Sequence, residues 1–394
     1  MKAVVIGSMN CMPTEYAIVL KKYFKTVVHY YDAPATNTLS NPTVRWGERS
    51  SARTAGVVLR SLYFSKYPFF LLPQLFHRKI LKEIDDADLI ILSGASISFA
   101  RFIKTSGKKV IALSYGSDIS LFCNPIWPAM RVPNASIMKV LIGKCLKPLK
   151  TKFSKYQIEG LRKSTHYSYF IPGLDPETDL LLGRLLTGQS TSIRLPRYSI
   201  ELNSLENTNA NPQLTNLKNQ YKIVFPVRFS DDELIGNKGW RLLFNALNIY
   251  RLKTDQKFIC VCFKKGNYPL ALKYAQDLGI ADCIEWHDVV PFSILTQYYM
   301  AADVVVEQLG THWIGQGLYA MLLGKPVIGK VSTIAQMQFF KGSGLLEVSD
   351  LDSLVNHLIN CESKDFRNTT GNISRQFVPL HAAIEPEFLK WNVF

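Results

Sequence analysis

Two open α/β domains with parallel sheets, one following the other, are what this sequence predicts. Three observations carry that prediction. The chain has 394 residues, and at roughly 100–200 residues per domain this length calls for two cores. Short apolar runs alternate with helical patterns, as in parallel strands joined by crossover helices. The alternation fails in an Asn-rich stretch and then restarts, as expected of a linker between two sheets.

In the first half, Lys2–Ser8 reads as a strand whose apolar run stops at Gly7, and Thr14–Phe24 as a helix. Thr26–Asp32 is a second strand, His77–Ile84 a helix and Leu89–Ser93 a continuous apolar strand. Ser98–Thr105 reads as helical, Lys109–Tyr115 as another buried run, and Thr165–Ile171 as a late strand. Between Ser190 and Gln220 the pattern fails, with little apolar material beyond Leu205, Leu214 and Leu217 late in the stretch. It resumes with the Lys222–Arg228 strand. The Gly239–Arg251 helix follows, with Trp240, Leu243, Phe244 and Leu247 on one face. Then come strand Lys257–Phe263, helix Tyr268–Asp277, strand Glu285–His287 and helix Pro291–Ala301. Val304–Gln308, Pro326–Lys330 and Gly344–Val348 read as strands, Gly317–Leu323 and Asp350–Asn360 as helices. The resulting plan is a first domain over 1–200, a linker over 201–220, a second domain over 221–375 and a terminal helix over 376–394. In open α/β sheets ligands bind beyond the carboxyl ends of the strands, so two facing sheets would hold a ligand between them.

Composition narrows the function classes. Apolar residues make up 47% of the chain, enough for packed cores rather than disorder. No apolar run approaches the ~18–20 residues of a spanning helix. The N-terminal run is too short for a signal peptide, so a cytoplasmic protein is expected. Seven scattered cysteines form no zinc-type double pair and read as packed, reduced thiols. The histidines show no ligand spacing either, so no metal is expected.

Charge is unevenly spread. Residues 1–200 hold 28 Lys and Arg against 12 Asp and Glu, whereas 201–394 hold 18 against 19. The excess peaks between Ser136 and Lys163. There Lys139, Lys144 and Lys147 interleave with Ile137, Met138, Leu141, Ile142 and Leu146, as in an interfacial amphipathic helix. A second aromatic and basic cluster runs from Arg60 to Lys79. A solvated basic face, an anionic membrane surface and nucleic acid all fit such charge. The membrane fits best, since no nucleic-acid-binding motif accompanies it.

Three segments carry chemistry. Val224–Trp240 ends a strand in Arg228, crosses a polar loop and enters a helix through Lys238-Gly239. A guanidinium fork, an ammonium and free helix N–H groups suit a diphosphate. Ala302–Gly329 runs from a buried strand into a glycine-rich turn. Its polar groups Glu307, Gln308, Thr311, His312 and Gln316, with Gly315 and Gly317, are candidates for binding hydroxyls. Tyr115–Ile119 places Ser117 and Asp118 after an apolar strand, where Asp118 could accept from a sugar.

The Arg228…Lys238-Gly239 pair, followed by A-D-V-V-V and A-M-L-L-G-K-P-V-I, resembles the retaining GT-B glycosyltransferases, especially the family-4-like group. Y-G-S-D at 115–118 is similar to the H-G-x-D segment of that group. The resemblance covers mainly 222–330. It implies a GT-B fold of two Rossmann-like parallel-sheet domains facing a central cleft, with a nucleotide-sugar donor in the second domain. Arg228 and Lys238 would hold the donor diphosphate. His287 would lie near the base, and the Gly315–Tyr319 turn near the ribose and sugar. Asp118 and Ser117 would meet the acceptor, and the terminal helix would return to the first domain. The family's acid pair is absent at its usual positions, where Tyr319 and Thr311 stand; either Glu307 or Gln316 would substitute, or the sugar would be gripped differently. The expected activity transfers a sugar, with retention and without a metal or other cofactor, to a lipid-linked or cell-surface polysaccharide acceptor, as in lipopolysaccharide or capsule biosynthesis. The protein would sit peripherally on the inner face of the membrane and would bind no nucleic acid. The alternative is a catalytically degenerate carbohydrate-binding or scaffold subunit of a glycosylation complex.

Overall fold

The computed structural model of the protein describes residues 1–7, 12–32, 56–62, 67–104, 107–114, 119, 122–123, 147–170, 176–186, 193–197, 220–230, 237–310 and 314–381. The chain divides into two compact units, with the break between Arg197 and Tyr198.

The first unit is built on a seven-stranded parallel sheet. Its strands are β1 (Lys2–Ile6), β2 (Thr26–Asp32), β3 (Val58–Leu62), β4 (Leu89–Ser93), β5 (Lys109–Leu113), β6 (His166–Phe170) and β7 (Ile193–Arg197). Their spatial order is β3-β2-β1-β4-β5-β6-β7. β1 and β4 lie at the centre, and Ala3–Ile6 and Leu89–Leu92 are buried, because strands covered on both faces need continuous apolar runs. Helices α1 (Met12–Leu20), α2 (Arg78–Asp85), α3 (Lys147–Lys163) and α4 (Pro176–Leu186) connect or cover them. The expected Ser98–Thr105 helix is instead a 3-10 stretch over Gly94–Phe102. Its backbone lies so close to α3 that a Cβ on Gly160 would collide with the Ile97 carbonyl. β7 corrects the expectation that regular structure ends at Ser190. It is an edge strand that pairs only with β6 and carries Pro196, which an edge tolerates and a central strand does not.

The second unit has a six-stranded parallel sheet of β8 (Tyr221–Phe225), β9 (Phe258–Phe263), β10 (Ile284–His287), β11 (Val304–Val306), β12 (Val327–Gly329) and β13 (Leu345–Glu347). The order is β10-β9-β8-β11-β12-β13. The chain winds outward from β8 to β10, then returns to β11 on the other side. The β8–β11 boundary is therefore the topological switch point, where such sheets bind ligands. Helices α5 (Trp240–Lys253), α6 (Tyr268–Asp277), α7 (Phe292–Ala301), α8 (Gly317–Leu322), α9 (Leu351–Asn360) and α10 (Lys364–His381) pack around it. The buried face of α5 is the one the sequence periodicity marked: Trp240, Leu243, Phe244 and Leu247. α9 starts in a capping box between Asp350 and Ser353. α10 crosses the expected boundary at 376 and packs on α8, where Gly371 lies against the Gly324 backbone. The linker at 201–219 and residues 382–394 lie outside the described residues.

Candidate functional site

The site is best built outward from Phe229, just past the end of β8. Phe229 is buried among aromatic rings, with centroids 5.9 Å from Trp240, 6.0 Å from Phe244 and 5.2 Å from Trp286. Its N–H donates to the Lys265 carbonyl at 3.0 Å, and its own carbonyl accepts from Asn267 N–H at 2.9 Å. This lacing extends the β8–β9 pairing by one bridge, Phe229 to Gly266. It fixes the backbone that carries Arg228 on one side and Lys265 on the other.

Lys238 arrives from the next loop. Its N–H donates to the Ser230 carbonyl at 3.1 Å, and its carbonyl accepts from Leu309 N–H at 3.0 Å. The loops before α5 and after β11 therefore touch backbone to backbone. Gly239, at φ +70°, and Gly310 are required there: a Cβ on either would strike the backbone of the opposite loop. The N-cap of α5, Gly239, makes no side-chain cap, and its own N–H donates to Asn237 Oδ1 at 2.8 Å, so the positive end of the helix dipole faces the same edge.

The side chains converge as well. Lys238 Nζ donates to Gln308 Oε1 at 2.6 Å. Glu307 is buried, and its carboxylate accepts from Gly317 N–H at 2.6 Å and Gln308 N–H at 3.3 Å, with Gly315 N–H as a further donor. Burial raises its pKa; the N–H donors and the Lys238 charge pull the other way. Glu307 thus holds the glycine-rich turn to the end of β11. Gly317 leaves room for it, since a Cβ there would crowd the carboxylate, Ile314 and Val327.

Electrostatically the site is out of balance. Burial lowers the pKa of Lys238, and Arg228's charge lowers it further, against the raising effect of Glu307. Lys265 is lowered by the same two causes, burial and then Arg228. Among the described residues, none of these three cations has an ion-pair partner, whereas the adjacent exposed Lys264 pairs with Asp288 at 3.1 Å. Unneutralised cations crowded into a half-buried place disfavour the empty state and favour an anion.

Sequence reasoning had named most of these positions. The structure brings Arg228, Lys238, Glu307, Gln308, Gly315 and Gly317 together at the β8–β11 edge. Gln316 stands beside them, with its buried Oε1 lacking a hydrogen-bond partner. Tyr319 is buried, and its ring meets Phe292 edge-on at 4.5 Å. His287 sits at the far end of the sheet edge. Its Nδ1 is 3.0 Å from Tyr298 Oη and its Nε2 2.7 Å from Glu285. Thr311, His312, Ser117 and Asp118 lie outside the described residues. Lys265 was missed, because only the Phe229–Gly266 bridge reveals that it neighbours Arg228. Among the described residues no group of three or more His, Cys, Asp or Glu is placed to hold a metal ion.

No protein-family model matches the chain. No curated protein matches it in sequence either. Solved structures do match. Sucrose-phosphate synthase from Thermosynechococcus elongatus superposes with a TM-score of 0.62 at 14% identity, covering 100% of this chain and 98% of that one. HepE from Anabaena in complex with UDP gives 0.62 at 12% identity, with the same coverage. The lipopolysaccharide outer core galactosyltransferase WaaB gives 0.55 at 12%, also over 100% and 98%. At such identities the likeness establishes the fold. It is the GT-B fold of glycosyltransferases, as the sequence resemblance led us to expect.

Proposed function

We propose that this chain is a nucleotide-sugar-dependent glycosyltransferase whose donor binds at the β8–β11 edge of the second unit. The observation that carries the reading is a set of three cations, Arg228, Lys238 and Lys265, at the switch point of a Rossmann-like sheet, without an ion-pair partner among the described residues. The match to HepE structures holding UDP and UDP-glucose is consistent with it. As the bond between sugar and diphosphate breaks, negative charge grows on the departing phosphate. Arg228, Lys238 and the positive dipole end of α5 are fixed in advance for that charge, which is how electrostatic preorganisation lowers a barrier. Gln308 holds the Lys238 ammonium, and Glu307 holds the turn that would border the sugar. Retention of configuration belongs to this reading through the family resemblance.

The proposed acceptor is lipid-linked or a cell-surface polysaccharide, met at the inner face of an anionic membrane. Support comes from one surface of the first unit. The turn Pro73–Phe76 exposes Leu75 (71%) and Phe76 (37%), with Leu72 (54%) beside it and the exposed Arg78 and Lys79 following. Beneath it Phe70, Leu71 and His77 are buried. The stretch just before it, Tyr67–Leu71, packs against α3, which exposes Lys147, Lys152, Lys155, Arg162 and Lys163. Apolar side chains on a rigid base among cations suit a bilayer interface. No helix among the described residues is long and apolar enough to cross a membrane.

A second reading, a catalytically degenerate subunit, is favoured by the commitment of the Glu307 carboxylate to backbone N–H groups. A donor panel separates the two. Purified protein is incubated with UDP-, GDP-, ADP-, TDP- and CMP-activated sugars, and free nucleotide is followed by mass spectrometry. The transferase reading expects slow release from one donor, lost in Arg228→Ala. Silence across the panel, with no thermal shift from any nucleoside diphosphate, would overturn it in favour of the subunit.

A further inference from the structure

The three cations form a row, and the row has a direction. Neighbouring strands along the carboxyl edge are β11, β8, β9 and β10. Lys238, held by Gln308, stands at the β11 end. Arg228 follows β8, Lys265 follows β9, and His287 closes β10. At about 4.8 Å per strand, the row covers roughly 10 Å.

Lys265 is placed deliberately by its backbone. Its carbonyl accepts from Phe229 N–H at 3.0 Å, and two residues on Asn267 N–H donates to the Phe229 carbonyl at 2.9 Å. Gly266 adopts φ +75°, and a Cβ there would run into the Phe229 carbonyl and Arg228 Cγ. The turn that brings Lys265 beside Arg228 is thus one that only a glycine at 266 fits.

The chemistry differs at the two ends of the row. Beyond Lys265 are rings: Phe263 and His287 lie 5.3 and 5.2 Å from Tyr298, centroid to centroid. Beyond Lys238 are the Glu307 carboxylate, the Gln308 amide and the unsatisfied Gln316 Oε1. A base is a flat ring, and a sugar needs hydroxyl partners. The two ends therefore suit the two ends of a nucleotide sugar.

We propose that Lys265 is a third phosphate-binding cation, gripping the nucleoside-side phosphate together with Arg228, while Lys238 serves the sugar-side phosphate. The assignment rests on the reading of this edge as a donor site. It predicts a division of labour. A nucleoside monophosphate reaches Arg228 and Lys265 and leaves Lys238 untouched; a diphosphate engages all three.

Calorimetric titration of the full chain with UDP, UMP, GDP, GMP and inorganic pyrophosphate tests this, pyrophosphate being the base-independent probe. A charge-assisted hydrogen bond corresponds to about tenfold in affinity or more. Lys265→Gln should therefore weaken the bound monophosphate and its diphosphate alike, by about tenfold each, with Lys265→Arg restoring most of the loss. Lys238→Gln should weaken the diphosphate and pyrophosphate but leave the monophosphate within about twofold. If Lys265→Gln leaves every affinity within about twofold while Arg228→Ala weakens them, Lys265 is a surface lysine; the proposal falls and the donor site stands. If Arg228→Ala and Lys238→Gln are also without effect, or no probe binds the wild type, the donor site falls with it.

Discussion

The two units share a winding order but handle charge in opposite ways. Residues 1–200 hold the chain's whole positive surplus, 28 Lys and Arg against 12 Asp and Glu. The described surplus sits on outer surfaces such as the exposed stripe of α3. Beside the carboxyl ends of its central strands β1 and β4, the described contacts join neutral groups. Ser96 Oγ lies 3.1 Å from the Ile6 carbonyl and 2.8 Å from the Ser93 carbonyl, and His29 Nε2 lies 2.8 Å from the Gly7 carbonyl. The second unit is nearly neutral overall, yet it crowds onto its edge three cations that have no ion-pair partner among the described residues. On the proposed reading, net charge marks the unit that would meet a broad anionic surface, and crowded cations at a switch point mark where one small anion would be held.

The sharpest way to break this contrast is to remove the edge cations. Arg228→Ala and Lys238→Ala should each lower turnover by about 10²–10³-fold, the usual cost of losing one preorganised donor. Neutralising Lys152 and Lys155 on α3 together should leave nucleotide release unchanged. Steady-state nucleotide release on the selected donor measures both.

Next in size is the backbone meeting that sets the edge. Gly239→Ala forces a side chain into a left-handed position against Leu309 and Gly310. It should cost about 2–4 kcal/mol in urea unfolding, from the backbone strain and the collision together. Gly279→Ala, also at positive φ but with open space around it, should cost only the strain, about 1–2 kcal/mol.

Acid should separate the units. In the first, burial pushes His29 and His77 down to about 4 from the ordinary 6.5. The unfolded chain then takes up protons below about pH 6.5, while the folded chain does so only near 4. Stability is full above that range and falls as pH drops through it, by up to ~3 kcal/mol for His29. Hydrogen exchange with mass spectrometry should show the first sheet opening before the second as pH falls to 4. His29→Gln should flatten that dependence. Equal loss of protection in both sheets would defeat the claim.

The smallest effect concerns the membrane face. Leu75→Glu should reduce partition onto vesicles with 30% anionic lipid by about 5- to 20-fold, the worth of one exposed leucine. Nucleotide release should not change.

Much of this was legible beforehand, and the exceptions share a cause. β2, β4 and α6 match the sequence boundaries residue for residue, because buried strands and amphipathic helices write their periods into the chain. β3 and β7 escaped notice. Both are edge strands; β3 is only partly buried and β7 is interrupted by Pro196, so neither has a clean apolar run. At the site, Arg228 and Lys238 are readable because strand, loop and helix place them within one short segment. Lys265 is not, since it joins them through a bridge between Phe229 and Gly266. Nor was the hold of Gln308 on Lys238, seventy residues apart. Local pattern specifies elements, whereas the meeting of loops across a sheet edge depends on strand order.

The central claim is that the edge cations, without an ion-pair partner among the described residues, are held together for a ligand, at a cost to the empty protein. Thermal unfolding of wild type and Arg228→Met, with and without nucleoside diphosphate, tests it most directly. The account predicts opposite signs. Arg228→Met should melt above the wild type when empty, because Lys238 and Lys265 lose a repelling neighbour, and should lose the stabilisation that bound ligand gives the wild type. A variant that melts lower when empty and still gains the full ligand shift would show that Arg228 is a structural residue, contradicting the account.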